Sequence, residues 1–100
     1  MIDEITKISY GTQFQQKVWK QLIQIPFGSV MTYKQIAYLI GTPLASRAVA
    51  NACAKNPYPI IIPCHRVIRS NGDIGGYSGT GGINKKRKLL NFEFGYGNLS

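Results

Sequence analysis

Between residues 12 and 25 the apolar positions Phe14, Val18, Leu22 and Ile25 recur every three or four residues, with Lys17, Lys20 and Gln21 between them. That spacing puts them on one face of an amphipathic helix. Thr12 and Gln15 form a capping box at its start, and Pro26 stops it. Phe27-Gly28-Ser29-Val30 then turns the chain. A second capping box, Thr32 with Gln35, opens a helix whose face is Ile36, Leu39 and Ile40, and Gly41 closes it. Thr42-Pro43-Leu44-Ala45 reads as a turn, Ser46 as the N-cap of a third helix from Arg47 to about Lys55, and Asn56-Pro57 as its end. Helix, short glycine-containing turn, helix is the layout of a helix-turn-helix, although many paired helices share it.

The pattern then changes. Ile60-Ile61-Ile62, three β-branched residues between Pro59 and Pro63, predict a short buried extended segment, too short for a helix. Asn71-Gly72 is a hairpin turn signal. Residues 74–82 form a glycine-rich loop that does not match a phosphate-cradling motif, because no strand–helix unit flanks it and its lysine comes too late. The last helix is expected from about Ile83 to Phe92, with Lys85 to Lys88 as a solvated basic face over Leu89 and Leu90. The expected fold is mainly α with a small β element, winged helix-turn-helix-like, in one domain over residues 1–100. Residues 1–10 and 96–100 are expected to be frayed.

Charge narrows the partner. Twelve Lys and Arg against four Asp and Glu give a net charge of +8 in 100 residues, a surface that seeks polyanions, most often nucleic acid. The third helix is small-faced, Arg47-Ala48-Val49-Ala50-Asn51-Ala52-Cys53-Ala54. Such a helix suits tight packing against a neighbour, or insertion into a nucleic-acid groove with Arg47 and Asn51 one turn apart on the same face. Cys53 and Cys64 do not make a disulfide framework, and His65 alone cannot complete a common zinc set. The expectation is a reduced intracellular chain, cytoplasmic or, in a eukaryote, nuclear, with no metal and no cofactor. The sequence has no signal-peptide pattern and no apolar run approaching a membrane span.

The candidate chemistry sits at Cys64-His65. A thiol must ionise to attack, and an imidazole with cationic neighbours, Arg66 and Arg69, would help it do so. Adjacent residues on an extended chain face opposite ways, so the pair needs either a turn or a bridging water. Glu93, one of only four acids, falls where the last helix can aim it back at His65, to hold its tautomer and raise its basicity.

Pro63-Cys64-His65-Arg66-Val67 resembles the active-site signature of the methylated-DNA–protein-cysteine methyltransferases, the alkylguanine-DNA alkyltransferases. Arg47-Ala48-Val49, Asn56-Pro57, Tyr77-Ser78-Gly79 and Leu89-Leu90 followed by Glu93 extend the likeness over roughly residues 11–95. The resemblance implies a DNA repair protein that flips alkylated guanine out of duplex DNA. It would move the alkyl group from the 6-oxygen irreversibly to Cys64, once per molecule. It further implies that His65 is the base, acting through a water, that Glu93 orients it, and that Asn56 ties the helix-turn-helix to the active-site segment. Arg47 would fill the stack the guanine leaves, and Tyr33 would press on the lesion phosphate and lie against the flipped base. Ser46, Ala48, Asn51 and Lys86 would join Arg47 and Tyr33 on DNA. Backbone groups of Cys64, Val67 and Ser78 would read the guanine edge, with Tyr77 and Pro59 walling the alkyl pocket and Cys53 nearby, a second, minor acceptor. Members of this family commonly carry an additional N-terminal domain; here only ten residues precede the first helix, so the expectation is a stand-alone active domain, an excised piece of a longer protein or a short relative, and, separately, a monomer without an obligate protein partner.

Rival readings differ in what happens to Cys64. Alkyltransferase-like proteins bind the lesion without transfer, and they lack the acceptor cysteine that is present here. A plain winged-helix DNA-binding module would hold Cys64 in its core. A cysteine hydrolase would turn over repeatedly and would not need the basic surface.

Overall fold

A computed structural model describes residues 11–58, 60–75 and 81–98, with the side chains of 95–98 left aside. Helix α1 spans Gln13–Ile23, strand β1 Met31–Thr32, helix α2 Tyr33–Leu39 and helix α3 Ser46–Ala54; a 3-10 turn at Cys64–Arg66 leads into strand β2, Val67–Ile68, and helix α4 covers Gly82–Asn98. The mainly helical fold with a small β element is therefore the one expected, and α2–turn–α3 is its helix-turn-helix.

Both capping boxes form. Thr12 Oγ1 accepts from the Gln15 amide at 3.0 Å while Gln15 Oε1 accepts from the Thr12 amide at 2.9 Å, and Thr32 and Gln35 do the same at 3.0 and 2.8 Å. Each satisfies two amides that a helix start leaves without partners. Helix α2 ends in a Schellman arrangement, with the Gly41 amide donating to Tyr38 and the Thr42 amide to Ala37. Gly41 has φ +84°, a conformation open to glycine at little cost, so the turn between the two helices is fixed by that residue.

The core is built where α1, α2 and α3 meet, from Val18, Trp19, Leu22, Ile25, Ile36, Ala37, Val49 and Ala52, with Ile62, Cys64 and Val67 closing it. The spacing of Val18, Leu22 and Ile25 holds, and Phe14 packs at the edge. Trp19, absent from the expected stripe, is 3 % exposed and donates from Nε1 to the Ala52 carbonyl at 2.9 Å, tying α1 to α3. On α2 the buried pair is Ile36 and Ala37, whereas Leu39 is half exposed.

Two local expectations change. Ser46 is the first residue of α3 rather than its cap: Ala45 occupies that position and offers no side-chain cap. Residues 60–63 do not form a strand. Ile60 and Ile61 are half exposed, Ile60 has φ +76°, and only Ile62 is an anchor in the core. The Ile62 amide turns back to the Tyr58 carbonyl at 2.8 Å, and Pro63, at φ −80° and ψ 65°, sits in an inverse γ-turn closed by the Cys64 amide on the Ile62 carbonyl at 2.7 Å. A proline has no amide for a sheet ladder, so the β-branched run bends and the strand starts four residues beyond Pro63. There β2 pairs in parallel with β1, Met31 opposite Val67 and Thr32 opposite Ile68. The Asn71-Gly72 turn forms, with the Gly72 amide on the Arg69 carbonyl at 3.0 Å and the Arg69 amide on Asp73 at 2.8 Å. Among the described residues no antiparallel ladder continues from it. No helix among them is long and apolar enough to cross a membrane.

Candidate active site

The γ-turn and the 3-10 turn together send Cys64 to the core and bring both neighbouring side chains, His65 and Arg66, onto Glu93, which an extended chain could not do. Cys64 is 4 % exposed, beside the core, and His65 is 1 % exposed. His65 Nε2 lies 2.6 Å from Glu93 Oε2 on α4. An ionised carboxylate can only accept, so Nε2 carries the hydrogen and Nδ1 keeps the lone pair. Nδ1 is buried and has no hydrogen-bond partner among the described residues. Between the Cys64 sulfur and the His65 ring these residues show no direct hydrogen bond, as the adjacency of the two residues predicts.

Glu93 is held on four sides. Arg66 grips it with both arms of the guanidinium, Nε to Oε1 at 2.8 Å and Nη2 to Oε2 at 3.2 Å. The Gly28 amide donates to Oε1 at 3.4 Å, and His65 supplies the fourth contact. The third arm of Arg66, Nη1, donates to the Ile25 carbonyl at 2.8 Å, and the guanidinium lies 5.6 Å from the Phe27 ring centre. Phe27 in turn meets Phe92 edge to face at 6.1 Å. The loop after α1 and the helix α4 are thereby clamped on one carboxylate.

Ionisation follows from these contacts. Burial pulls the Glu93 carboxyl upward, but hydrogen bonds from Arg66 and His65 outweigh it and hold it below the ordinary range. Burial lowers the His65 pKa, and the pull of Glu93 in the other direction does not fully offset it. Both groups therefore bind protons less readily folded than unfolded. The sign is the same for each: stability is lost as pH falls through about 6.5, where the unfolded histidine begins to bind its proton, and further as it falls below about 4.5. Thermal melts are expected to show a lower Tm at pH 4.5 than at pH 7.5; an unchanged Tm would mean that the pair carries no linkage.

Asn56, 8 % exposed, donates from Nδ2 to the Ile62 carbonyl at 2.7 Å and accepts the Tyr58 amide at 2.9 Å. It joins the end of α3 to the turn that presents Cys64. Asn56→Ala leaves the Ile62 carbonyl unpartnered and is expected to cost about 1–3 kcal/mol, read as a Tm lower by roughly 4–8 °C per kcal/mol in a domain of this size. Burial pushes the Cys64 thiol up, against the Asn56 hydrogen bond and the charge of Lys86. The cation that acts on the sulfur is Lys86, not Arg66, which is committed to Glu93.

Lys86 corrects the reading of residues 85–88 as a solvated face, and with it the placement of Lys86 on DNA. It is fully buried, donates from Nζ to the Val67 carbonyl at 2.6 Å, and lies 5.8 Å from the Tyr33 ring centre. Desolvation lowers its pKa to about 8. Lys85, Arg87 and Lys88 are exposed as expected. Helix α4 also runs through Glu93 instead of ending before it, so Lys86, Leu90 and Glu93 fall at i, i+4 and i+7 on its buried face. That spacing was open to view in the sequence, as was the scarcity of acids that makes Arg66 and His65 share one.

The other expected site residues separate into two groups. Arg47, Ala48 and Asn51 lie exposed along the outer face of α3, with Ser46 half buried at its start. Tyr33 is half buried at the start of α2, its hydroxyl pushed up to about 12 chiefly by burial. A Cβ on Gly75, which has φ +73°, would stand 3.1 Å from the Tyr33 hydroxyl oxygen, so glycine there lets the loop close on the ring. Val67 is buried in β2 and its carbonyl is taken by Lys86. Cys53 faces the core from α3, 6 % exposed, its thiol pushed up to about 12 by burial and by Cys64. Pro59, Tyr77 and Ser78 lie outside the described residues. Among the described residues no group of three or more His, Cys, Asp or Glu could hold a metal ion.

Comparison with known proteins identifies the family of the chain. The family model described as 6-O-methylguanine DNA methyltransferase, DNA binding domain, matches residues 13–94. A probable methylated-DNA–protein-cysteine methyltransferase of Acanthamoeba polyphaga mimivirus is 59% identical over 83 residues, 83% of this chain and 54% of that protein. The crystal structure of Mycobacterium tuberculosis OGT in complex with DNA superposes with a TM-score of 0.81 at 53% identity, over 85% of this chain and 52% of that one. S. pombe Atl1 in complex with damaged DNA containing O6-carboxymethylguanine gives 0.70 at 35% identity, over 81% of this chain and 75% of that one. The chain spans about half the length of the curated relatives it matches.

Proposed function

For a chain that belongs to the 6-O-methylguanine DNA methyltransferase family through its DNA-binding domain, we propose a single-use DNA repair activity, in which an alkyl group on the guanine 6-oxygen of duplex DNA passes to Cys64. The observation that carries this reading is the buried His65–Glu93 pair at 2.6 Å, whose histidine comes from the same 3-10 turn as the cysteine and whose carboxylate comes from α4. Exposed on α3, Arg47 enters the duplex and fills the gap in the stack while the damaged guanine turns out toward Cys64. Unstacking costs a few kcal/mol, and the inserted arginine offsets part of it.

Proton transfer runs outward from the sulfur. His65, with its hydrogen fixed on Nε2 by Glu93, takes the Cys64 proton at Nδ1 through a water. Lys86 favours the thiolate by its charge. The sulfur then attacks the alkyl carbon: the S–C bond forms, the C–O6 bond breaks, and its electron pair stays on the guanine oxygen. In the overall balance the thiol proton ends on the guanine, which stays in its DNA strand. The product is a thioether, and among the described residues the site has no group able to reverse it, so each protein acts once. Val67 serves this pocket through its backbone and Tyr33 through its ring, with duplex DNA carrying the lesion as the partner.

The test is a single-turnover incubation with a duplex carrying one O6-methylguanine, followed by mass spectrometry of the peptides. One methyl group on the Cys64 peptide, in an amount that never exceeds the protein, is the expected result. Binding without methylation would instead make the chain a lesion-binding protein. Methylation elsewhere would remove Cys64 from the centre of the scheme.

A further inference from the structure

Arg66 comes from the same 3-10 turn as Cys64, yet its side chain goes to the carboxylate behind His65 rather than to the sulfur. All three guanidinium nitrogens are committed. Nε and Nη2 take the two oxygens of Glu93 at 2.8 and 3.2 Å, and Nη1 takes the Ile25 carbonyl at 2.8 Å. The Phe27 ring lies 5.6 Å from the guanidinium, and the side chain is 16 % exposed. A fork held in this way sets the plane of a carboxylate as well as its charge. The pair it supports can bind one more proton. That proton ends on His65 Nδ1, as an imidazolium against the carboxylate or as a neutral ring whose Nε2 accepts from a carboxylic acid. In both states the lone pair that would receive the thiol proton is gone. Arg66 opposes both: its hydrogen bonds favour the ionised carboxylate, and its charge disfavours a cation on the ring. Lys86, on α4 with Glu93, adds its charge against the imidazolium while it donates to the Val67 carbonyl. The loop after α1 brings the Gly28 amide and the Phe27 ring, neither of which titrates.

We propose that Arg66 is a positioning residue for the base: by gripping both oxygens of Glu93 and anchoring on the Ile25 carbonyl, it keeps the Nδ1 lone pair of His65 open at neutral pH. The inference rests on the DNA repair reading above and adds to it a residue that acts on the base through Glu93. The sequence sets Arg66 beside the thiol as a cation that would favour the thiolate. The structure gives it to the other end of the proton path. Its anchor explains why the effect is specific to a guanidinium. An ammonium offers a point charge to one oxygen, whereas the fork reaches both oxygens and the end of α1 together. Without the fork, burial raises the Glu93 carboxyl unopposed on that side, and the pair takes its extra proton from solvent at a higher pH.

His65 is the single histidine of the chain, so nitrogen NMR follows its two ring nitrogens without ambiguity. Nδ1 is expected to take up hydrogen at a higher pH in Arg66→Gln than in the parent. Single-turnover transfer from an O6-methylguanine duplex, at saturating protein, is measured over the same pH range. Arg66→Gln is expected to be about tenfold slower than the parent at pH 6.5 and within about threefold of it at pH 8.5, as the pair gives up its extra proton. Because each rate is taken as a ratio to the parent at the same pH, the titration of Lys86 cancels. Arg66→Lys keeps the charge and should lie between the two. Lys88→Gln, an equal charge loss on the exposed side of α4, should follow the parent throughout. A rate loss of equal size at every pH would make Arg66 a structural clamp and overturn the proposal, as would an Nδ1 that titrates alike in the parent and both variants. Should Arg66→Gln not fold, Arg66→Lys carries both measurements and the same results decide. A displaced Nδ1 titration in a protein that never methylates Cys64 keeps the assignment of Arg66 and discards the repair reading. Methylation with an unmoved Nδ1 does the reverse.

Discussion

Cys64→Ala is expected to abolish methyl transfer outright, with no methyl on any peptide, while affinity for the lesion duplex stays within about twofold of the parent. The two halves of this result separate chemistry from grip. The cations that face outward, on α2, α3 and the turn after β2, are untouched by a change beside the core. The sulfur contributes nothing to phosphate neutralisation. The sharper half concerns Cys53, the one other thiol. Its environment differs from that of Cys64 in a way that decides the outcome. Cys64 has the Asn56 hydrogen bond and the Lys86 charge working against its burial. At Cys53 burial, the largest cause and one the substitution leaves in place, together with the neighbouring Cys64 outweighs the charge of Lys86, and the pKa is pushed up to about 12. At pH 7.5 such a thiol is ionised to roughly one part in 10⁴ to 10⁵, so it cannot replace the missing nucleophile during a single-turnover measurement. Mass spectrometry of the variant after incubation with methylated duplex checks this. A methyl group on Cys53 at a comparable rate would show that its surroundings are far more permissive than burial implies.

What could be read from the chain in advance divides along physical lines. Capping boxes, the Schellman glycine and the apolar stripe of α1 depend on contacts within four or five residues, and these were legible at Thr12, Thr32 and Gly41. The pairing of Glu93 with His65 was legible for a different reason. With so few acids, a carboxylate one turn from a buried helix face has few other uses. The segment around Ile60 misled because β-branched residues signal a strand only where the backbone can supply amides, and prolines at both ends removed them. The role of Trp19 depended on an α3 carbonyl 33 residues away, which no local pattern encodes. Lys86 misled most. Within a run of four cations it reads as surface, and only its register with Leu90 and Glu93 places it inside. Its burial is tolerable because a carbonyl and an aromatic face receive the charge. The site thus holds a pair of opposite, nearly water-free charges, Glu93 and Lys86, on the same face of α4, one turned toward the histidine and the other toward the Val67 carbonyl.

That division of labour sets the size of the effect at Glu93. Glu93→Gln preserves shape and one acceptor oxygen but removes the charge. The oxygen can receive the guanidinium of Arg66 or the Nε2 hydrogen of His65, and the amide nitrogen must face whichever remains. If the nitrogen faces Arg66, two sets of donors collide. If it faces His65, it donates to Nε2, the imidazole hydrogen moves to Nδ1, and the nitrogen meant to accept the thiol proton no longer can. Arg66 already bonds both carboxylate oxygens and is fixed by the Ile25 carbonyl, so the second arrangement is the cheaper. A base locked in the wrong tautomer loses its contribution, and transfer to Cys64 is expected to fall by about 10²- to 10⁴-fold. Weakened hydrogen bonds to Arg66 also lower stability, by about 1–3 kcal/mol, so rates are to be compared well below the Tm of both proteins. Glu93→Asp, which keeps the charge on a shorter arm, should recover part of the rate, whereas a purely structural role would make it no better than Gln. A Glu93→Gln protein that methylates Cys64 within about threefold of the parent rate would mean that the thiol loses its proton by some other path.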